Sequence, residues 1–583
     1  MLVRTNWKAA LRPVVAFAFY TLAALILFQP WLVQFGSVLI GSPENNLQDF
    51  WNVWHAAHTG LGDFFHTDAL RFPGGTSLLF HSFSYPHVAA VAGLAQWLGN
   101  DRETLIVLNN AALLASFPLA GLSAFYLVRR FVPHDWAALI GGFLFAFSPW
   151  HVAQLGHHAH VTHIEFVPLF VLAYLNAVDR KSTRWLIVAA VSGALAALSC
   201  WYYLFYGLYF VLFHTAYVRW HDKQRLAGWQ IRAPLLTVAG MGLLVSPLIV
   251  PMLLSSGGVE HPGGTDAFVA DVEAFVAFPP SHVFAAWSAP FWTRLQTWTS
   301  NNTFEGAAYL GLVNIAVMAL LWRRRKTDRL ANYVFWAMAV FAVLAMGDCI
   351  HAFGYDTLIP IPGIVPNHLP FFSQVRTPGR AMVIVYLFLS VGVAYGLALL
   401  AEKWRTKPWG KAALAGVVVL IVADFAPVHF DFTDARCPQG LAVIAADREA
   451  GFGVLNLPIE TAGDVAMFQQ TCHGKPVVVA AISRQIRPPL TDTLDRRNLA
   501  VQRAQLIAAH VKYLVVDERA DWEPDRNPPK YALRRWAVRT FPALAKVKGI
   551  GLPPYKAPIP KSAYETRFPV LYRDGGLTVL KVQ

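Results

Sequence analysis

The sequence predicts a polytopic α-helical membrane protein of about eleven spans, followed by an extracytoplasmic α/β domain. Three observations predict it. Only 14% of the 583 residues are charged, against about 25% in an ordinary soluble globule. The deficit falls in long apolar stretches separated by short charged or Pro/Gly-rich connectors, which is how bilayer-crossing helices read. The last part of the chain instead has ordinary composition and apolar runs of strand length.

The candidate spans are 13–38, 104–128, 136–150, 163–178, 184–199, 201–218, 232–254, 306–322, 330–347, 378–400 and 412–427. Several fall short of the ~20 residues needed to cross the hydrocarbon core, so their ends extend into polar neighbours. The basic segment Met1 to Arg12 leads into a long apolar run with no small-residue cleavage site, and reads as a retained first span. The apolar stretch 84–98 is decided by the positive-inside rule. If it does not cross, Arg129-Arg130, Arg180-Lys181, Arg323 to Lys326 and the Lys403 to Lys411 connector all lie on the cytoplasmic side with the N-terminus. If it crossed, every later loop would invert. It is therefore expected to be a re-entrant or interfacial segment packed on the bundle.

This divides the chain into a membrane domain, 1–427, and an extracytoplasmic domain, 428–583. In the latter, FGVLNLPIE, KPVVVAAIS, VKYLVVDE and GGLTVLKV read as strands, and AQLIAAH as a helix feeding VKYLVVDE. No Gly-rich phosphate loop of the usual kind is present. The four cysteines show no metal-ligand spacing. Cys437 and Cys472 lie where an oxidising compartment would allow a disulfide. The net charge of +13 resides in short connectors, as topology signals beside an anionic membrane rather than as a nucleic-acid surface.

The long loops 41–103, 151–162, 255–305 and 348–377 all fall on the outer side, poor in Lys and Arg and rich in His, Asp, Pro and Gly. Long structured loops usually carry function. In the first, Asp49 of QDFWNVWHAAH sits just after the first span, where a carboxylate can accept a proton or help hold a divalent metal near phosphate. A solvated cap is the alternative. The second, HVAQLGHHAHVTHIEF, crowds His151, His157, His158, His160 and His163 before Glu165. These are metal-ligand types without a standard metal spacing. His157 and Glu165 are the preferred pair, because a carboxylate opening an apolar span needs a partner. The third carries Glu260, His261, Asp266, Asp271 and Glu273, and ends at FEGAAYLGL. There Glu305 is either a fixed site acid or a helix N-terminal acid, and Tyr309 an interface aromatic. The fourth ends VRTPGRA. Its Arg376 and Arg380 oppose the topology trend and suit a lipid phosphate or diphosphate, or alternatively a headgroup anchor.

Together these features resemble the GT-C class of integral membrane glycosyltransferases. GSPENNLQDFWNVWH matches the class's first-loop acidic position at Asp49, and FEGAAYLG and VRTPGRA look like segments of the bacterial YfhO-like membrane proteins. The likeness covers about residues 1–427 in architecture. Two departures stand out: Gln48 replaces the second acid that many members carry beside Asp49, and the WWDYG motif of oligosaccharyltransferases is missing. The resemblance implies a donor sugar on a polyprenyl phosphate, bound near Arg376 and Arg380. It implies Asp49 as base or acceptor-orienting group with Glu165 or Glu305 assisting, and His157 and Tyr309 contacting substrate. The acceptor would be an envelope glycan, lipid or protein at the outer face of a bacterial cytoplasmic membrane. The divalent metal stays open. The alternatives are a transporter or flippase, with broken helices such as one at Pro247 and Pro251, and a non-catalytic assembly protein whose outer loops stay apart.

Overall fold

A computed structural model of the chain describes residues 7–43, 45–62, 65–224, 226–255, 268–298, 304–369, 375–459, 461–482, 489–520, 522, 540 and 559–582. It is a largely α-helical, multi-pass membrane protein. A helix overlaps each predicted span: Trp7–Leu27, Arg102–Phe131, Asp135–Ala146, Phe166–Arg180, Thr183–Ser199, Trp201–Trp220, Trp229–Ser255, Leu312–Trp322, Arg329–Ala345, Met382–Trp404 and Gly410–Phe425. Among the described residues, five continuous stretches suffice by length and composition alone to cross a membrane: Arg102–Phe131, Asp135–His157, Ala159–Arg180, Trp229–Ser255 and Pro378–Trp404.

The Met382–Trp404 helix is buried along most of its length. It packs against Asp135–Ala146, Leu312–Trp322 and Arg329–Ala345, so apolar residues surround it on all sides. Trp229–Ser255 is the opposite case. It packs on Thr183–Ser199 and turns Leu235, Leu243 and Leu254 outward, as a lipid-facing helix does.

The first apolar run departs from expectation. Its helix stops at Leu27 rather than running to 38. Pro30 has no N–H to extend a helix and opens a new short one, Gln29–Leu32. Val38–Ile40 is then a strand, antiparallel to Phe432–Asp434. Residues 85–98 form the Tyr85–Leu98 helix, capped by Ser84. One face (His87, Val88, Val91, Ala92, Ala95) packs on Asn45–Thr59 and Arg102–Phe131, while Trp97 is 88% exposed.

The C-terminal region is built on a four-stranded sheet ordered Gly453–Leu457, Val511–Asp517, Leu577–Lys581, Val570–Arg573, with the first pair parallel and the others antiparallel. AQLIAAH ends the Leu499–Ala508 helix, which feeds the second strand. KPVVVAAIS departs from its predicted strand. Only Val477 bridges, because it pairs at one point with Val454 on one side and Leu70 on the other. Cys437 and Cys472 form a disulfide.

This region shares one apolar core with the first long loop and the helix after it: Phe50, Trp51, Val53 and Leu70 of the loop and Ile106 of the Arg102–Phe131 helix belong to the same cluster as Val454, Phe468 and Val515. The Asn45–Thr59 helix lies on the Gly463–His473 helix. Trp51 Nε1 donates to Gln470 Oε1 at 2.6 Å, and Gln470 Nε2 donates to the Ala69 carbonyl at 2.6 Å. Backbone bonds Val477 N to Ala69 O (2.9 Å) and Phe72 N to Val477 O (3.1 Å) add the loop to the sheet edge. Arg102 donates to Thr471 Oγ1 at 2.9 Å, with its guanidinium 4.8 Å from the centre of the Phe468 ring.

Trp51→Phe keeps the ring but strands the buried Gln470 carbonyl. A lost buried partner costs ~1–3 kcal/mol, so the variant is expected to melt at lower temperature, with the C-terminal region more readily cleaved by protease. An unchanged melt and cleavage pattern would show that Gln470 does not fix the two regions together.

Candidate functional site

The Asn45–Thr59 helix sets the first carboxylate. Its first turn is pinned by Asn46, whose Nδ2 donates to the carbonyls of Ile40 (2.5 Å) and Leu155 (3.2 Å) and whose Oδ1 accepts from Ala159 N (3.1 Å). Gly41, at φ +98°, lets the first and second loops approach there, since a Cβ would collide with the Gly156 carbonyl. One turn on, Asp49 Oδ2 accepts from His160 N at 3.0 Å and lies 3.1 Å from His160 Nδ1. Asp49 Oδ1 is buried and has no hydrogen-bond partner among the described residues, as have both polar side-chain atoms of Asn52 and both ring nitrogens of His81. Burial pushes the Asp49 carboxyl up, but the charge and hydrogen bonds of His160, aided by His158, hold it below its ordinary value.

Glu305 is the second carboxylate and is 2% exposed. Arg380 grips it through Nε, at 3.0 and 3.2 Å from its two oxygens, and through a terminal guanidinium nitrogen. His158 Nε2 lies 3.1 Å from Oε1, and Gln154 Nε2 donates to Oε2 at 3.4 Å. Burial raises this carboxyl too, but Arg380 and His158 outweigh it and hold it well below the usual carboxylate range. The Pro378-Gly379 turn makes the grip possible. Gly379 N donates to Phe268 O at 3.0 Å, and a Cβ at Gly379 would collide with the Glu305 carbonyl. The Arg380 guanidinium also sits 4.7 Å from the Tyr202 ring centre, so its charge is already engaged. Arg376 differs. It is half-buried, and its Nε finds no hydrogen-bond partner among the described residues.

Glu165, the third carboxylate, pairs with His163 (Nδ1 to Oε1, 3.2 Å) and not with His157 as expected from the sequence. The reason is local. His157 ends the Pro149–His157 helix and turns to stack on Phe304, ring centres 3.8 Å apart, with Ser42 Oγ 3.0 Å from its Nδ1. Tyr309 is not an interface aromatic. It is fully buried, and its hydroxyl donates to Asp424 Oδ1 at 2.7 Å, fastening the Gly410–Phe425 helix. A cleft of ≈ 220 Å³ opens beside His157, lined also by Phe304, His429, Asp431 and the Pro279-Pro280 step.

Asn52, which helical spacing places on one polar edge with Asp49, lies in the site, and residues sequence reasoning did not single out complete it: Asn46, His81, Gln154 and Tyr202. Asn46, Asp49 and Asn52 recur every third position on an otherwise aromatic helix, a polar stripe that the sequence displays. Of the third loop's acids, Glu260, His261 and Asp266 lie outside the described residues. Asp271 and Glu273 hold a hairpin tip: Asp271 Oδ2 accepts from Gly354 N at 2.9 Å and Glu273 Oε2 from Phe353 N at 2.7 Å. No three His, Cys, Asp or Glu side chains among the described residues converge as a metal ion would require.

Arg380→Met would leave the buried Glu305 charge without its guanidinium, a loss of ~3–5 kcal/mol. Thermal unfolding should show it, and Arg380→Met with Glu305→Gln should recover most of the loss. Burial and the Glu273 hydrogen bond raise Asp271 to about 7, so this carboxyl binds a proton on folding. Stability should therefore fall as pH rises from about 4 to about 7, and level off above. Asp271→Asn should flatten that slope, and an unchanged slope would clear Asp271.

No curated protein matches the chain. Solved structures do. The apo oligosaccharyltransferase of Archaeoglobus fulgidus superposes with a TM-score of 0.54 at 12% identity, over 88% of this chain and 70% of that one. The arabinofuranosyltransferase AftD from Mycobacteria superposes at 0.55 and 16% identity, over 97% of this chain and 41% of that one. At such identities the likeness is one of fold, and the fold is that of the GT-C membrane glycosyltransferases. The matches lie in that class at large and single out no YfhO-like protein. The family described as a domain of unknown function, DUF6311, matches residues 5–426, and the chain belongs to that family.

Proposed function

We propose that the protein is a glycosyltransferase that moves a sugar from a polyprenyl-phosphate donor to an envelope glycan, lipid or protein acceptor, with inversion. The site faces the outside of a bacterial cytoplasmic membrane, with the N-terminus inside, eleven crossings, and residues 428–583 outside as a distinct domain over the site. One observation carries the reading. Side chains from all four long loops or their edges meet in one buried polar cluster: Asp49 with His160, His158 with Glu305, and Glu305 with Arg380. A buried charged cluster is costly unless used or fully paired, and here Asp49 Oδ1 is left unpaired among the described residues. An assembly protein needs no such convergence. A transporter would break a helix at Pro247 and Pro251, yet Trp229–Ser255 runs through both.

In this reading the lipid phosphate lies near Arg376, whose Nε is unengaged, with Arg380 held back by Glu305. The acceptor enters by the cleft at His157 and Phe304. Its hydroxyl is oriented or deprotonated at Asp49, with Glu165 assisting. The bond from the acceptor oxygen to the anomeric carbon forms as the bond to phosphate breaks in one displacement. Glu305 keeps Arg380 and His158 in place, and Tyr309 supports the site through Asp424. A divalent cation would have Asp49 Oδ1 and His158 Nδ1 as free donor atoms. With no third ligand converging there, no step is routed through one.

The test is transfer of labelled sugar from polyprenyl-phosphate donors by the purified protein in detergent, with envelope extracts as acceptors. The wild type is expected to transfer, and Asp49→Asn to lose about a hundredfold or more. Equal transfer by both would remove Asp49 from the site.

A further inference from the structure

Inside the cluster a hydrogen-bonded chain crosses four segments. Glu165 Oε1 lies 3.2 Å from His163 Nδ1, His163 Nε2 lies 2.9 Å from His87 Nδ1, and His87 Nε2 lies 3.0 Å from Asn109 Oδ1. Asn109 Nδ2 reaches Asn110 Oδ1 at 3.5 Å, and Asn110 Nδ2 donates to the carbonyls of Phe35 and Val38, both at 2.8 Å. All five side chains are buried.

The direction of every bond follows from the two backbone carbonyls, which can only accept. Asn110 must therefore present its amide N–H groups to them and its oxygen to Asn109. Asn109 then presents its oxygen to His87, so His87 carries its proton on Nε2. Burial, with the His163 charge adding to it, pulls His87 down to about 3, so this ring is neutral and its Nδ1 is an acceptor. His163 must donate to it from Nε2. The remaining contact, His163 Nδ1 to Glu165 Oε1, joins two lone pairs unless one proton lies between them. That proton is shared between Nδ1 and Oε1, and Oε2 carries none. Glu165 Oε2 is buried with no hydrogen-bond partner among the described residues.

We infer that Glu165 Oε2 is the atom that receives the acceptor hydroxyl proton, and that His163, His87, Asn109 and Asn110 are positioning residues that prepare it. The inference rests on the transferase reading above and refines it, with Asp49 orienting the acceptor rather than deprotonating it. Of the other two carboxylates, Glu305 is taken by Arg380, His158 and Gln154, while Asp49 accepts both bonds from His160 on Oδ2 and keeps Oδ1 open to orient the acceptor. In the step, the acceptor oxygen bonds to the anomeric carbon, and the carbon–phosphate oxygen bond breaks with its electron pair going to phosphate. The hydroxyl proton passes to Glu165 Oε2, and the shared proton settles on His163 Nδ1. The positive charge so formed sits one ring away from His87, which the Asp49 charge reaches.

The experiment has two arms on the full-length protein in detergent. Nitrogen-15 NMR of labelled histidines needs no donor. It should show His87 protonated on Nε2 in the wild type, and loss of that single tautomer in Asn109→Leu, with Asn109→Ser as the second variant should the first fail to fold. Sugar transfer should fall about a hundredfold or more in kcat for Glu165→Gln, and about tenfold for His163→Gln and Asn109→Leu with KM unchanged. Rescue of a His163→Ala variant by added imidazole would support the assignment. His87 protonated on Nδ1, or full kcat in Glu165→Gln, would overturn it. Correct tautomers with no transfer by the wild type would instead strike the transferase reading and leave the hydrogen-bond chain standing.

Discussion

A charge buried away from water must find its opposite, and Glu305 and Arg380 meet that requirement at the point where the loops join. Glu305 closes the third loop, Arg380 opens the Met382–Trp404 helix, and His158 and Gln154 come from the second loop. The pair alone gains little over an apolar substitute. Its effect is on register, because each partner is satisfied only if the others arrive in place. The Pro378-Gly379 turn, the stacking of His157 on Phe304 and the entry to the largely buried Met382–Trp404 helix all accompany that fit.

Three carboxylates in one cluster are thereby given three environments. Glu305 meets a guanidinium, Asp49 a backbone N–H and an imidazole, and Glu165 an imidazole whose other nitrogen is already committed. In the proposed reading the same functional group serves as an anchor, an orienting group or a proton acceptor according to what faces it. Gln48, where many GT-C members carry a second acid, fits a site whose further carboxylates come from later loops.

The helices and the position of Asp49 were readable because apolar length and Lys/Arg placement act locally along the chain. The Cys437–Cys472 bond was readable as an option from compartment alone. What failed depended on distant partners. Glu165 selects His163 over His157 because Ser42 and Phe304, far apart in sequence, claim the latter. Tyr309 is buried because Asp424 accepts its hydroxyl. The apolar run to residue 38 ends in a strand because Phe432–Asp434 is there to pair with it. KPVVVAAIS has strand composition, yet its neighbours on both sides offer it one bridging position.

The seam between the first long loop and the C-terminal sheet bears on the order of synthesis. The Asn45–Thr59 helix is made well before the Gly463–His473 helix that covers part of its apolar face. The strip at Ala69 to Phe72 finds its backbone partner only when Val477 arrives. Until then the sides of Trp51 and Phe50 that meet Gln470 and Phe468 stay open, although the Tyr85–Leu98 and Arg102–Phe131 helices already pack on their helix. The helix that carries Asp49 is thus fully covered only once the C-terminal sheet has been made, long after the helix itself.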